Sequence, residues 1–201
     1  MATSPPDNPA YNSTGGTVSA AANNVQSGAV IRLNGGTIYH DYSYVFSIVT
    51  NFIDLQVLAN STITNRGNNG SANPGGTITH STLDYTGNGA ALTLAADITG
   101  INIASLNYIF NRVTVTNDAT LILSRTGTGV GALAAQFSNL TLSAGRTLTV
   151  TNTTGIGTSS LTILGTNNFG VAGTIDVRSG ALLLPAMSNA LGNGKIGRAH
   201  V

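Results

Sequence analysis

From residue 78 onward the chain repeats one short pattern, an apolar residue, a small polar one and a second apolar one. It appears as Leu92-Thr93-Leu94, Val113-Thr114-Val115, Leu140-Thr141-Leu142, Leu148-Thr149-Val150, Leu161-Thr162-Ile163 and Ile175-Asp176-Val177. Ile101-Asn102-Ile103, Leu121-Ile122-Leu123 and Leu182-Leu183-Leu184 are variants of it, and Ile78 and Leu83 stand in similar surroundings. Side chains alternate between the two faces of a strand, so each triplet reads as a short strand with its apolar pair on one face. Three segments superpose as strand, turn, strand: Val113 to Leu123, Leu140 to Val150 and Ile175 to Leu184. Their starts lie 27 and 35 residues apart, with Leu161 heading a less complete unit between them. Irregular periods of roughly 20 to 45 residues are those of a solenoid, whose units bury their apolar faces only by stacking.

The pattern therefore predicts an all-β fold, a single-stranded parallel β-helix (β-solenoid) expected to be right-handed. A β-sandwich is the alternative, since it also uses short alternating strands. Upstream, Val18 to Gly28 is expected to form a short capping helix, Ala29 to Leu33 a strand, and Asn34-Gly35-Gly36 a tight turn. Ile38 to Ile63 carries Tyr39, Tyr42, Tyr44, Phe46 and Phe52 among β-branched residues and is expected to form the first well-packed rungs. Arg66 to Gly76 consists of turn formers and reads as a protruding loop. By domain, 1–16 reads as a disordered polar leader and 17–195 as the solenoid, truncated at its C-terminal end. Residues 196–201 read as a tail of another origin.

Composition sharpens this picture. Of 201 residues, 28 are Thr, 25 Gly and 22 Asn, whereas only 7% are charged and Glu, Cys and Trp are absent. Poor helix formers dominate, which excludes a helical fold. A hydrophobic content of 41% argues against general disorder. Without Cys there is no disulfide framework and no thiolate metal site. A net charge of +1 gives no field to draw in nucleic acid, so no nucleic-acid partner is expected. No run reaches the roughly 18 apolar residues of a membrane helix, and no membrane contact is expected within the segment.

Two stretches resemble known families. Gly173 to Leu184 (GTIDVRSGALLL) followed by Ser188 to Gly194 (SNALGNG) is similar to the autotransporter-associated β-strand repeat, over residues 137 to 195 at most. That resemblance implies a β-helical passenger region of a secreted or surface-displayed bacterial protein. Residues 28–37 (GAVIRLNGGT) resemble, more weakly, the first coil of pectate-lyase-like right-handed β-helices. The last six residues, Ile196-Gly-Arg-Ala-His-Val201, look like the translation of a sequencing-library adapter, and the natural reading frame is expected to continue beyond them.

Candidate chemistry is thin. Residues 127–131 carry a Gly-x-Gly-x-Gly turn, but the dinucleotide fingerprint places its third glycine one residue later and wants an acidic residue about 20 residues on. The turn reads instead as a glycine-rich corner with one helical turn at Ala132 to Gln136. Stacking could align Asp84, Asp97 and Arg112 into a groove for a polysaccharide lyase or hydrolase. His40, Asp41 and His80 have no G-x-S-x-G partner and too few companions for a metal, so both histidines are expected at strand edges with ordinary solvation. Tyr39, Tyr42 and Tyr44 alternate and could present a stacking platform for sugars, although core packing explains them as well. The sequons at Asn12, Asn60, Asn69, Asn139 and Asn152 are those expected by chance in a chain this rich in Asn and Thr.

The sequence thus predicts no catalytic, cofactor-binding or metal residue and no cofactor. It predicts a non-enzymatic structural or adhesive segment at the cell surface, outside a Gram-negative outer membrane. The expected partners are surface glycans or receptors on host or neighbouring cells. A β-helical carbohydrate-active enzyme is the alternative.

Overall fold

A computed structural model describes residues 10–14, 17–21, 30–42, 48–50, 53–67, 76–97, 106–126, 132–153, 159–165, 167–179, 181–183 and 195–197. The chain begins with β1 (Ala10–Thr14), β2 (Thr17–Ala21), β3 (Val30–Asn34), β4 (Thr37–Tyr42), β5 (Ile48–Thr50), β6 (Asp54–Val57) and β7 (Ser61–Gly67). The long strands β8 (Gly76–Tyr85), β9 (Ala90–Asp97), β10 (Leu106–Val115) and β11 (Ala119–Thr126) follow. Then come β12 (Leu133–Phe137), β13 (Leu140–Leu142), β14 (Thr147–Thr153) and β15 (Ser159–Ile163). β16 (Asn168–Phe169), β17 (Thr174–Val177), β18 (Ala181–Leu183) and β19 (Lys195–Gly197) complete the order.

These strands make two sheets, and every described pairing is parallel. The eight-stranded sheet runs β19-β17-β14-β11-β9-β7-β4-β2, and the eleven-stranded sheet runs from β1 to β18. The fold is a parallel β-solenoid: each coil places a strand on the one beneath it, from 20 residues back (Ala10 opposite Val30) to 31 (Ser61 opposite Leu92).

The eleven-stranded sheet is bent into two faces, and the burial pattern shows where. Along β10, Leu106, Tyr108 and Phe110 point inward, two exposed residues follow at Asn111 and Arg112, and Val113 and Val115 point inward again. This change of phase is the corner. The first half of β10 pairs with β12 and the second with β13, whereas β8 pairs with β5 before its corner and with β6 after it.

Inward residues stack in rows along the axis. Leu33, Val57, Tyr85, Val115, Leu142 and Phe169 form one, and Ile38, Ile63, Leu94 and Leu123 another; all are buried. Each such side chain contributes on the order of 1.5–3 kcal/mol by leaving water, so the apolar triplets make the core.

Polar corner residues bond across coils. Gly35 N donates to Ser61 Oγ at 3.1 Å, and Ala91 N to Asn60 Oδ1 at 2.9 Å. Thr147 N donates to Asp118 Oδ1 at 2.9 Å, while Asn117 Nδ2 donates to the Thr86 carbonyl at 2.7 Å. Gly35 turns the first of these corners at a φ of 85°, a conformation that glycine adopts without penalty. This is the expected Asn34-Gly35-Gly36 turn.

Several expectations need correction. The capping helix at Val18 to Gly28 is a strand in its described part, because Thr17 to Ala21 pairs in register with Thr37 to Asp41. Its remainder, 22–29, lies outside the described residues. Ala10–Thr14, within the stretch read as a polar leader, forms β1. The helical turn at Ala132 to Gln136 is replaced by β12, whose Leu133, Ala135 and Phe137 follow the strand alternation into the core. The third superposed segment belongs to a different face: Ile175 lies opposite Leu148, not Leu140. Lys195–Gly197, the last residue of the stretch read as solenoid and the first two of the tail read at 196–201, lies beside β17 as β19.

Candidate functional site

The outer surface of the second face carries the largest group of charged side chains whose placement the structure describes. Strand pairing sets Arg32, Gln56, Asp84 and Thr114 in one outward row, since Arg32 lies opposite Gln56, Gln56 opposite Asp84 and Asp84 opposite Thr114. At the corner beside it, Asp54, Thr82 and Arg112 form a second row. Arg32 Nε donates to Gln56 Oε1 at 3.2 Å, and the Thr82 hydroxyl donates to Asp54 Oδ1 at 2.8 Å.

Asp84 is therefore one coil and two residues away from both Asp54 and Arg112, a Cα diagonal of roughly 7–8 Å by strand geometry. Two carboxylates and a guanidinium in adjacent coils are the residue types that glycoside hydrolysis or proton abstraction uses. The same groups, held on a rigid flat strip, can also simply hydrogen-bond the hydroxyls of a glycan.

The structure thus brings together two of the three residues proposed for a groove and leaves out the third. Asp97 stands in the eight-stranded sheet, in register with Arg66 and Thr126. Asp54 takes its place, a residue that sequence reading passed over. Its signal was available only through register, since the steps from Arg112 to Thr82 and on to Asp54 differ in length.

His40 and Asp41 lie in β4, opposite Asn65 and Arg66. Tyr39 and Tyr42 lie in the same strand, whereas Tyr44, the Gly-x-Gly-x-Gly turn at 127–131 and most of the loop at 66–76 (68–75) fall outside the described residues. The side chains of the aromatic segment, from Tyr39 to Phe52, also lie outside them. Among the described residues no three His, Cys, Asp or Glu side chains gather at metal-binding distance.

His80 is a further correction. It was expected at a strand edge with ordinary solvation, but it is 1% exposed and its ring stacks on Phe110, with centroids 5.3 Å apart and planes at 18°. Ile78, two residues earlier, is also inward, and that parity was the signal in the sequence.

Other polar groups share the interior. Tyr108 spans it, its hydroxyl donating to the Ala95 carbonyl of the facing sheet at 2.8 Å. Tyr85 is fully buried and its hydroxyl has no hydrogen-bond partner among the described residues, so burial pushes its ionisation far above the ordinary phenol value. Arg125 takes an inward position at the end of β11, where burial lowers its guanidinium from the usual arginine value. Asn167 is buried, accepting from Leu140 N at 2.9 Å and donating to the Gly165 carbonyl at 3.1 Å.

On the outside of the eight-stranded sheet, threonines recur at register positions of adjacent coils. Thr62 and Thr93, and then Thr120 and Thr149, lie opposite each other in adjacent coils. The charged pair Asp176 and Arg178, 3.0 Å apart, is exposed and adds little.

No family model, curated protein or solved structure matches the chain. The site is accordingly defined by its own geometry.

Proposed function

We propose that the chain is a structural, adhesive segment of a large secreted or surface-displayed bacterial protein, with no chemistry of its own. The observation that carries this reading is the way coils are joined. Inward rows are continuously apolar over most of their length, and corner side chains bond to the backbone of the next coil. Outer faces are left with short Thr-, Asn- and Ser-rich strips. Such a stack makes a stiff rod whose outer surface is free to meet glycans or receptors on neighbouring or host cells.

The purified chain should bind immobilised cell-surface glycans or whole cells, resist protease, and leave polysaccharides uncut. Release of new reducing ends or unsaturated sugars, abolished by Asp84→Asn, would overturn the reading. The second reading, a β-helical polysaccharide lyase or hydrolase, would then take its place. Its support is the grouping of Asp54, Asp84 and Arg112 in three consecutive coils.

A further inference from the structure

The charged strip on the second face carries a definite order of signs. Arg32, Asp54, Asp84 and Arg112 stand in four successive coils, each one coil and two residues from the next, because Asp54 lies opposite Val30 and Thr82 lies opposite both Asp54 and Arg112. The signs run plus, minus, minus, plus, and they cancel. Such diagonals measure roughly 7–8 Å between Cα atoms, no more than the Debye length of about 8 Å at physiological ionic strength. A polyanion drawn to Arg32 and Arg112 is therefore repelled by the two carboxylates between them, and a polycation meets the converse.

Two of the four charges already show what kind of group the strip holds. The Arg32 guanidinium is met by the amide oxygen of Gln56 and the Asp54 carboxylate by the Thr82 hydroxyl, both uncharged and both from the next coil. Leu58, two residues beyond Gln56, is 37% exposed and one of two large apolar side chains exposed among the described residues. Carboxylate, guanidinium, amide and hydroxyl groups beside an apolar contact match a sugar ring, whose hydroxyls both donate and accept and whose faces are C–H groups. Adjacent coils lie about 4.8 Å apart, so the three steps from Arg32 to Thr114 cover about 14 Å, roughly three pyranose rings of an extended glycan.

Resting on the adhesive reading above, we propose that this strip binds an uncharged polysaccharide laid along the solenoid axis, with Asp84 accepting from its hydroxyls and Arg112 donating to them. The order of signs selects against uronic, sulfated and amino-sugar polymers.

The test measures binding of the purified chain to immobilised laminarin, dextran and galactomannan, which are uncharged, and to polygalacturonate, heparin and chitosan, at low and at high salt. The expected result is binding to an uncharged glycan that salt leaves nearly unchanged and that Asp84→Ala and Arg112→Ala each weaken by about tenfold or more. Thr120→Ala, on the eight-stranded sheet, should bind as the wild type does. Binding confined to the charged polymers and lost at high salt overturns the inference and leaves the adhesive reading standing, as does binding to cells with none to the uncharged panel. Binding to an uncharged glycan that neither strip variant weakens overturns the assignment to the strip, and a chain that binds neither glycans nor cells overturns both readings. If Asp84→Ala fails to fold, Arg112→Ala decides alone.

Discussion

Replacing Tyr85 by Phe tests the interior directly. Tyr85 lies in the row Leu33, Val57, Tyr85, Val115, Leu142, fully buried, and its hydroxyl is unpartnered among the described residues. Leaving such a group without a hydrogen bond costs about 1–3 kcal/mol. Removing the oxygen keeps the ring and its packing, so Tyr85→Phe should stabilise the chain by about 1–2 kcal/mol at pH 8. The pH dependence makes the test specific. The unfolded phenol loses its proton near pH 10, whereas burial holds the proton on the folded one to far higher pH. Above pH 10 the native state binds the extra proton, so the wild type loses about 1.4 kcal/mol per pH unit through this residue and Tyr85→Phe does not. Urea unfolding at steps from pH 8 to pH 11 would measure both quantities, and subtracting the two curves removes the remaining tyrosines. A variant that is less stable at pH 8, or that shares the wild-type slope above pH 10, would show that the hydroxyl has a partner and that the row is not dry there.

Other substitutions probe the corners, the core and the outer strip. A Cβ on Gly87 would fall 2.0 Å from the Leu58 carbonyl oxygen, so Gly87→Ala should lower the urea midpoint by an equivalent of about 1–3 kcal/mol. Gly89→Ala meets no atom and should cost only the strain of its φ of +68°, about 1 kcal/mol. Phe137→Ala removes a buried ring against Phe110 and should cost about 3–5 kcal/mol in the same measurement. Asn167→Ala leaves the amide of Leu140 without its acceptor and should cost about 1–3 kcal/mol, with faster hydrogen exchange at that amide. Asp84→Asn should change stability by less than about 0.5 kcal/mol, so any larger effect would mean that Asp84 is tied into the corner bonding.

Which strands form was legible because the core is built from them directly. An apolar-x-apolar triplet has only one way to sit in a sheet with one wet face, and the triplets that the structure describes point inward. Register was less legible. Each coil turns several corners, and a strand-turn-strand motif looks the same at each of them. Ile175-Asp176-Val177 could thus be laid on Leu140-Thr141-Leu142 although it belongs beside Leu148-Thr149-Val150. The marker that separates the corners is a break in alternation, two outward residues in succession as at Asn111-Arg112, where one strand bends from one face to the next. Val18 to Ala21 was misread for a related reason. Ala and Val read as one side of a helix when the partner strand is unknown, and pairing with β4 overrides that local preference.

The site depended on register in a stronger way. Asp84 and Arg112 were visible as isolated charges in a chain that has few, but proximity in a solenoid is set by coil length, and these coils vary. A shift of one residue in the loop before β8 would move Asp84 to the inward side and break the row from Arg32 through Gln56 to Thr114. Parity therefore decides whether a polar residue faces solvent or the core, and the same rule accounts for both Asp84 and His80. The two lie an even number of residues apart along one strand, yet they point to opposite sides, because the corner at Ser81 and Thr82 inserts one extra step between them. A bend in β8 thus places a carboxylate on the outer strip and an imidazole in the core within a span of five residues. Substitutions that alter that bend should disturb the stacking of His80 on Phe110 and the outer charge row together.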